Sequence, residues 1–574
     1  MHALDDGDDE VRAQAARALG DAAVEAAGAK LVARLEDPSA RVRFFAAQAL
    51  VHVAPESLGE EQPPGIAVAL RDLLAEHGDD PTERLVAARA LAACADAVTL
   101  RTFSEDDDAR VRMGVLLAMR RRSMEEVADF LYDDDVAILR EAARAIHDVP
   151  IAAALPALAE LIEEEDLDDP VALTRSIAAN YRIGGVEAAT RLAEAVELDF
   201  PESVRAEALR ALRDFDDPPA RDRVLGIWRP YAPRNGAVAA SAAAPYVASW
   251  LADDSEGVRE AAVRFVQHFQ IKGHGARLAE IVADDQHGDA PRIAALEALA
   301  SLHEDARLRS AVEVALADDH AAVRGAATRA LAKLDPGLAL AILRRVVDGG
   351  TPRELQEAFA TLGDMAGGDA AALLLRGFDR LESGELAKEA TLDLLEVASR
   401  KKSDAAFAAR LAKFEAARKA DDPLAKWREC EVGGSAARGH HLFFDRTELE
   451  CAKCHRVGSE GAGVAGPDLA GLGARVTREY LLESIVFPEK RIAAGFQNTI
   501  FFLKGGGQID GRVEGEDATR LQLFTLDQGS VLVDKAQIES RSNGKSAMLP
   551  DVVQRMDKRD LRDLVEFLAS LKKL

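Results

Sequence analysis

Cysteine and aromatic residues are scarce in this sequence: its 574 residues include four cysteines, and phenylalanine, tryptophan and tyrosine together make up 5%. With so few bulky rings, packing falls to alanine and leucine, and alanine both favours helix and lets helix axes approach closely. A chain of this length is too long for one hydrophobic core, so several domains or a repeat array are expected. Positive charge is short as well. Lys and Arg number 72 against 99 Asp and Glu, a formal net charge of −27, which argues against nucleic acid as a partner because like charge meets the phosphates. No apolar run approaches the roughly 18 residues of a membrane-crossing helix. No phosphate-binding glycine loop, nucleophile elbow or paired-carboxylate motif stands out. The N-terminus also lacks the basic segment and apolar core of an export signal. Instead, "MHALDDGDDEVRAQAARALG" opens in mid-repeat, so the chain reads either as cytoplasmic or as the C-terminal part of a longer polypeptide.

What is present is a repeat. Acidic residues, a short gap, Val-Arg and an alanine-rich amphipathic stretch recur as "DDGDDEVRAQAARAL", "EDPSARVRFFAAQAL", "ADDSEGVREAAVRFV" and "ADDHAAVRGAATRAL". The recurrent arginine falls at Arg12, Arg43, Arg84, Arg112, Arg140, Arg175, Arg205, Arg259, Arg292 and Arg324. The period is about 30 residues, stretched to 54 between Arg205 and Arg259, where "PPARDRVLGIWRPYAPRNG" is expected to hold a degenerate unit. In each unit the Asp cluster sets side-chain oxygens and negative charge at a helix N-terminus, where free N–H groups await them. A lone helix pair cannot bury its apolar face, but a stack of pairs can. The pattern resembles HEAT-like repeats over roughly residues 1 to 400. The arginines are expected to pair with acids of their own or the next unit. Cys94, in "ALAACADA", reads as a small buried hydrophobe.

From about Gly433 the repeat stops, and glycine, phenylalanine and lysine become commoner. Cys451-Ala-Lys-Cys454-His455 follows. Structural zinc calls for four ligands, commonly two separated pairs, and no second CxxC exists. A thioredoxin-like dithiol opens a helix within a βαβ unit, whereas a glycine-rich loop follows here. Covalent haem suits the motif better: two cysteines on one helical turn reach two vinyl groups, and the adjacent histidine is carried under the iron as an axial ligand.

The surroundings resemble a class I cytochrome c. "GGSAARGHHLFFDRTELECAKCH" supplies a first helix, "GPDLAGLG" follows the cysteine motif, and "MDKRDLRDLVEFLASLKKL" closes the chain. The resemblance implies that Gly439 and Phe443 cross the last helix at Leu564 and Phe567. It also implies that the Pro467 carbonyl accepts the second imidazole N–H of His455. More narrowly, "GHHLFF", "CAKCH", "GAGVAGPDLAGLGARVTREYLLESIVFPEKRIAAGF", "SAMLPD" and "RDLRDLVEFLASL" resemble the haem-binding domain of planctomycete and verrucomicrobial proteins, over about 434–574. Members of that family join such a domain to a HEAT-like array, and some carry a sugar-dehydrogenase-like propeller that is not present here.

The family pattern places a distal methionine after an inserted segment, at Met548 of "SAMLPD". Met556 competes for the role, as do His440 and His441 as a second imidazole. The insertion, about 496–541, alternates apolar and polar residues between "GGG", "GED" and "DQGS" and predicts four or five short antiparallel strands in a small barrel or curled sheet. Arg475 and Arg478 are weighed as partners of the haem propionates against simple solvation.

Together these readings predict a mainly α chain: a HEAT-like α-solenoid over residues 1–430, then a class I-like cytochrome c domain over 431–574 with a β insertion. The cofactor expected is one covalent haem c, tethered by Cys451 and Cys454 and ligated by His455 and Met548. Electron transfer to a redox partner protein, such as a sugar dehydrogenase, is the expected role, with the array as docking scaffold. A five-coordinate haem enzyme or sensor, and a scaffold with a structural haem, are the alternatives. Covalent haem attachment takes place outside the bacterial cytoplasmic membrane. The expected location is therefore the periplasm, with the export signal lost to truncation or a mis-assigned start.

Overall fold

Several of the acidic clusters between repeats become helix caps. Asp8 accepts the N–H groups of Glu10 and Val11, Asp80 those of Thr82 and Glu83, and Asp135 that of Ala137. Each cap satisfies donors that the first helical turn leaves free, and so fixes where its helix starts. The computed structural model describes residues 1–53, 65–164, 166–232, 234–286, 288–458, 460–461 and 463–573. They fall into two compact units, Met1–Leu278 and Ala279–Leu574. Among the described residues no single helix is long and apolar enough to cross a membrane.

In the first unit the helices that carry the recurrent arginines run Asp9–Asp21, Ala40–Val53, Pro81–Cys94, Ala109–Arg121, Val136–Asp148, Pro170–Ile183, Glu202–Arg213 and Glu256–His268. The first six present small and branched apolar side chains to a shared core, as with Ala46, Ala47 and Leu50, or Ala142, Ala143 and Ile146. Cys94 lies in that core, and burial pushes its thiol up to about 11.

The recurrent arginines tie neighbouring repeats together. Arg12 binds Asp37 at 2.8 Å, Arg43 binds Glu83 at 2.7 Å, Arg112 binds Asp133 at 2.8 Å and Arg175 binds Asp148 at 2.9 Å. Arg140, Arg205 and Arg292 pair with Asp169, Asp253 and Asp318, and Arg324 binds Glu354 at 2.6 Å. The same guanidinium often donates to the carbonyl six residues earlier: Asp6 for Arg12, Asp37 for Arg43, Gly78 for Arg84, Asp106 for Arg112 and Asp318 for Arg324. One side chain thus holds its own helix-entry turn and, in most units, an acid of a neighbouring turn. Arginine suits this because its planar fork carries five donors in fixed directions.

The stretched interval departs from expectation. Between Arg213 and Ala237 there is no helix pair among the described residues; the chain is irregular, with one bridge between Arg221 and Trp228. Pro218, Pro219 and Pro230 remove the N–H groups a helix needs. The segment instead covers helix ends. Arg229 donates to the carbonyls of His147 and Asp148, and Arg234 to those of Tyr181 and Arg182. Fully buried Asp222 receives the backbone N–H groups of Val224 and Leu225 and the Arg229 guanidinium at 3.1 Å.

The second unit begins with more repeats, including Asp289–Ser301, Ala321–Leu334, Pro352–Asp364 and Thr391–Arg400. Thr351 opens one of them with a capping box. The Glu354 N–H donates to Thr351 Oγ1 at 3.4 Å, and the Thr351 N–H to Glu354 Oε2 at 2.9 Å. Thr351→Ala is expected to cost about 1 kcal/mol, read as a lower melting temperature.

The same unit then carries the cysteine segment. Its helices Ala436–Phe444, Cys451–Cys454, Arg478–Val486 and Lys558–Ser570 share a core of Leu442, Phe443, Leu481, Leu482, Leu561, Leu564 and Phe567. Leu392 of the last repeats belongs to that core too. Five antiparallel strands follow Arg478–Val486: β1 Asn498–Leu503, β2 Gln508–Glu516, β3 Arg520–Thr525, β4 Gly529–Asp534 and β5 Ile538–Asn543. Their order is β4-β3-β2-β1-β5. Phe501 pairs with Ile509, Val513 with Leu523, and Leu523 in turn with Val531, which places the apolar alternation on one face around Phe501, Leu521, Leu523 and Val533. The result is an open sheet with β4 and β5 as edges. The barrel alternative is not formed, because β4 and β5 do not pair.

Candidate functional site

The site is built where the first and last helices of the cysteine segment cross. At Gly439 an added Cβ would lie 2.1 Å from the Asp563 carbonyl oxygen and 2.6 Å from Phe567 Cβ, so only glycine permits this approach. The Phe443 and Phe567 rings meet at 5.6 Å between centroids. Asp563 pins the start of the first helix by accepting the Ser435 N–H at 2.7 Å and the Arg438 guanidinium at 2.7 Å. The expected glycine–aromatic crossing is therefore present, with Asp563 as a polar latch that the sequence pattern did not reveal.

From that crossing the chain reaches a single helical turn, Cys451–Cys454. Glu450 enters it in the left-handed region, at φ 55°, an uncommon conformation for a residue with a side chain. The His455 N–H donates to the Cys451 carbonyl at 2.8 Å. His455 itself is extended, at φ −112° and ψ 151°, so the chain leaves the turn at the imidazole. Both thiols are free and partly buried. Burial pushes Cys451 up to about 11 and raises Cys454 as well. Such protonated thiols are unlike the lowered, reactive cysteines of a disulfide-exchange dithiol. Among the described residues no group of three or more His, Cys, Asp or Glu is arranged to hold a metal ion.

The imidazole is oriented by backbone. His455 Nδ1 lies 2.9 Å from the Pro467 carbonyl oxygen. A carbonyl only accepts, so Nδ1 carries the proton and Nε2 keeps the lone pair. Burial holds the ring's basicity below that of a free histidine, and the Pro467 contact partly offsets this. Two glycines make the wrap possible. A Cβ on Gly466 would meet the ring at 2.5 Å, and one on Gly463 would meet the Cys454 carbonyl carbon at 2.4 Å. Both glycines stand in the "GAGVAGPD" stretch, but nothing local in it says which atoms they must clear.

The remaining candidates are placed as follows. Met548 is half-buried in an irregular stretch against the same core as Cys451 and Ala452, and its N–H donates to Ser546 Oγ at 3.2 Å. Met556 packs against that core too. His440 Nε2 lies 2.8 Å from Glu460 Oε1, with its ring against Phe444 and Phe567. His441 is exposed and pairs with Asp445 at 2.5 Å. Arg478 is engaged by Glu566 through two 2.7 Å contacts, and Arg475 donates to the carbonyls of Ala470 and Gly471. A cleft of about 620 Å³ lies elsewhere in the unit, lined by Leu392, Asp393, Glu396, Glu429, Lys558 and Arg559 among others. Its charges are spent on ion pairs with one another and with neighbours.

Known proteins match in two places. HEAT repeats match residues 1–62, and cytochrome c matches residues 436–524. The second match takes in the cysteine turn, His455 and Pro467 and ends within β3. No curated protein matches the chain. Among solved structures, an engineered protein is 16% identical, covering 72% of this chain and 97% of its own, with a TM-score of 0.26. Kap121p bound to RanGTP is 13% identical, covering 79% of this chain and 58% of its own, with a TM-score of 0.38. Kap121p bound to Pho4p is 12% identical, covering 78% and 54%, with a TM-score of 0.36.

Proposed function

We propose that this chain is an electron-transfer protein in which the segment after the repeats holds one covalent haem c and the HEAT-like array docks a redox partner protein. The observation that carries the reading is the Cys451–Cys454 turn ending at an imidazole whose Nδ1 is committed to Pro467. The donor set fits the group. Two thiols on one turn are spaced for two thioethers, and a neutral imidazole with Nε2 free is the form that ligates iron. Haem c, when bound, supplies a one-electron iron couple.

This chain's residues do the rest. Cys451 and Cys454 tether, His455 ligates, and Pro467 holds the ring's angle and raises its basicity. The core of Leu442, Phe443, Leu564 and Phe567 excludes water. Met548 is assigned as the distal ligand on the resemblance to planctomycete-type haem domains, and its place against the Cys451 core supports that reading over His440 and His441, whose nitrogens face Glu460 and Asp445. A thioether ligand favours ferrous iron. Periplasmic location follows from where covalent haem is attached. A sugar dehydrogenase as partner rests on the resemblance alone.

The test is expression of residues 1–574 behind a periplasmic signal with the c-type maturation machinery, then a denaturing gel stained for haem. Haem is expected to stay with the chain, and to be lost in the Cys451→Ala/Cys454→Ala double variant. A colourless wild-type chain would overturn the proposal and leave an interaction scaffold. Met548→Ala is expected to abolish the far-red methionine–ferric charge-transfer band and to let carbon monoxide bind rapidly to the reduced protein. Survival of the band would move the distal role to Met556.

A further inference from the structure

The residues that follow His455 and Pro467 are joined to each other. Asp468 Oδ2 accepts from Arg456 Nε at 3.0 Å, while Asp468 Oδ1 accepts the Gly458 N–H at 3.0 Å and the Ala470 N–H at 2.9 Å. Two backbone bonds flank this carboxylate. The Gly466 N–H donates to the Cys454 carbonyl at 2.7 Å, and the Leu469 N–H to the Arg456 carbonyl at 2.9 Å. Residues 454–458 and 466–470 therefore run as a laced pair, and the His455–Pro467 contact is one rung of it. Asp468 supplies two of the contacts across this lacing, to Arg456 and Gly458, and its third, to Ala470, closes a turn in its own segment.

We infer that Asp468 is a positioning residue for the axial imidazole: by clamping the segment after Pro467 to the segment after His455, it holds the Pro467 carbonyl on His455 Nδ1 and so sets the basicity of the ring toward haem iron. The inference rests on the electron-transfer reading above and names a residue that the cysteine motif does not contain. The physical argument is one of freedom. A proline carbonyl in a loop can rotate away from the ring unless the peptide after it is fixed, and Asp468 fixes that peptide on both sides. A weaker hydrogen bond at Nδ1 makes the imidazole a poorer donor, which favours ferrous over ferric iron. Loss of the clamp therefore moves the midpoint potential upward.

The contacts also rank the variants. The Arg456 guanidinium is about half exposed, and exposed ion pairs contribute little. The backbone N–H groups of Gly458 and Ala470 would lose their partner outright. Asp468→Ala should thus have the larger effect and Arg456→Ala a smaller one of the same sign. Asp468→Asn keeps an oxygen for both N–H groups and should stay near wild type.

The experiment uses the full chain in all four forms. Spectroelectrochemistry reads the potential, and solvent exchange of the His455 ring proton is followed by NMR with labelled histidine. Asp468→Ala is expected to give a more positive potential and ring-proton exchange about tenfold faster, with haem retained, and Asp468→Asn to restore both. Unchanged potential and exchange in Asp468→Ala would overturn the inference. If that variant fails to fold, an Arg456→Ala protein with a raised potential supports the clamp and one without it opposes it. If even the wild-type chain takes up no haem, the electron-transfer reading fails separately. Ring-proton exchange in the haem-free chain then still decides the clamp: faster in Asp468→Ala supports it, equal refutes it.

Discussion

Asp393→Ala is expected to destabilise the second unit by about 3–5 kcal/mol, the range seen when one partner of a buried ion pair is removed. Asp393 lies in the repeat helix Thr391–Arg400 and Arg562 in the final helix. They meet at 2.6 Å with side chains 5% and 2% exposed. Arg559 reaches the same carboxylate at 3.2 Å. Removing the carboxylate strands a guanidinium that no water reaches. Arg559 keeps Glu396 at 2.6 Å, but among the described residues Arg562 keeps only the Glu389 carbonyl at 3.4 Å. For a unit of this size the change corresponds to a fall of roughly 10 °C in melting temperature, measured by far-ultraviolet dichroism. The Asp393→Leu/Arg562→Met double variant should come out near wild type, because two apolar groups need no partner. A double variant as unstable as Asp393→Ala would show that the cost lies in packing and not in the stranded charge.

Gly439→Val is the second large effect. Its Cβ would stand 2.1 Å from one backbone oxygen and 2.6 Å from Phe567 Cβ, and neither belongs to the far end of a flexible side chain. The two helices must separate, which exceeds the roughly 1–3 kcal/mol common for overpacking. Separation opens the core of Phe443, Leu564 and Phe567 although the cysteine turn is untouched. The expected result is loss of bound haem with Cys451, Cys454 and His455 all present, together with cleavage by protease between residues 431 and 574. Full haem retention in Gly439→Val would mean that the crossing does not support the site. Gly439→Ala should show the same defects in milder form.

The parts legible in the sequence were those settled within a turn or two of chain. Asp8, Asp80, Asp108 and Asp135 each cap the helix that follows, since the N–H groups they satisfy are two or three residues away. The arginine period marked the repeats, and the alternation between "GGG", "GED" and "DQGS" marked the strands. The spacing of Cys451, Cys454 and His455 marked a single helical turn that ends at the imidazole. Reading beyond the period failed at 216–236, where a unit was expected and a capping segment stands. Nothing near Arg229 or Arg234 announces that the carbonyls they cover belong to helices Val136–Asp148 and Pro170–Ile183.

The sequence by itself thus determined a mainly helical repeat array, a cysteine–histidine turn and a strand-rich insertion, because short-range hydrogen bonding and apolar periodicity depend on near neighbours. Tertiary structure alone decided which glycines must lack a side chain, which carboxylate braces the Pro467 loop, and that Asp393 finds Arg562 across 169 residues. Those contacts depend on the path of the folded chain, and no local pattern encodes the distance between residues so far apart.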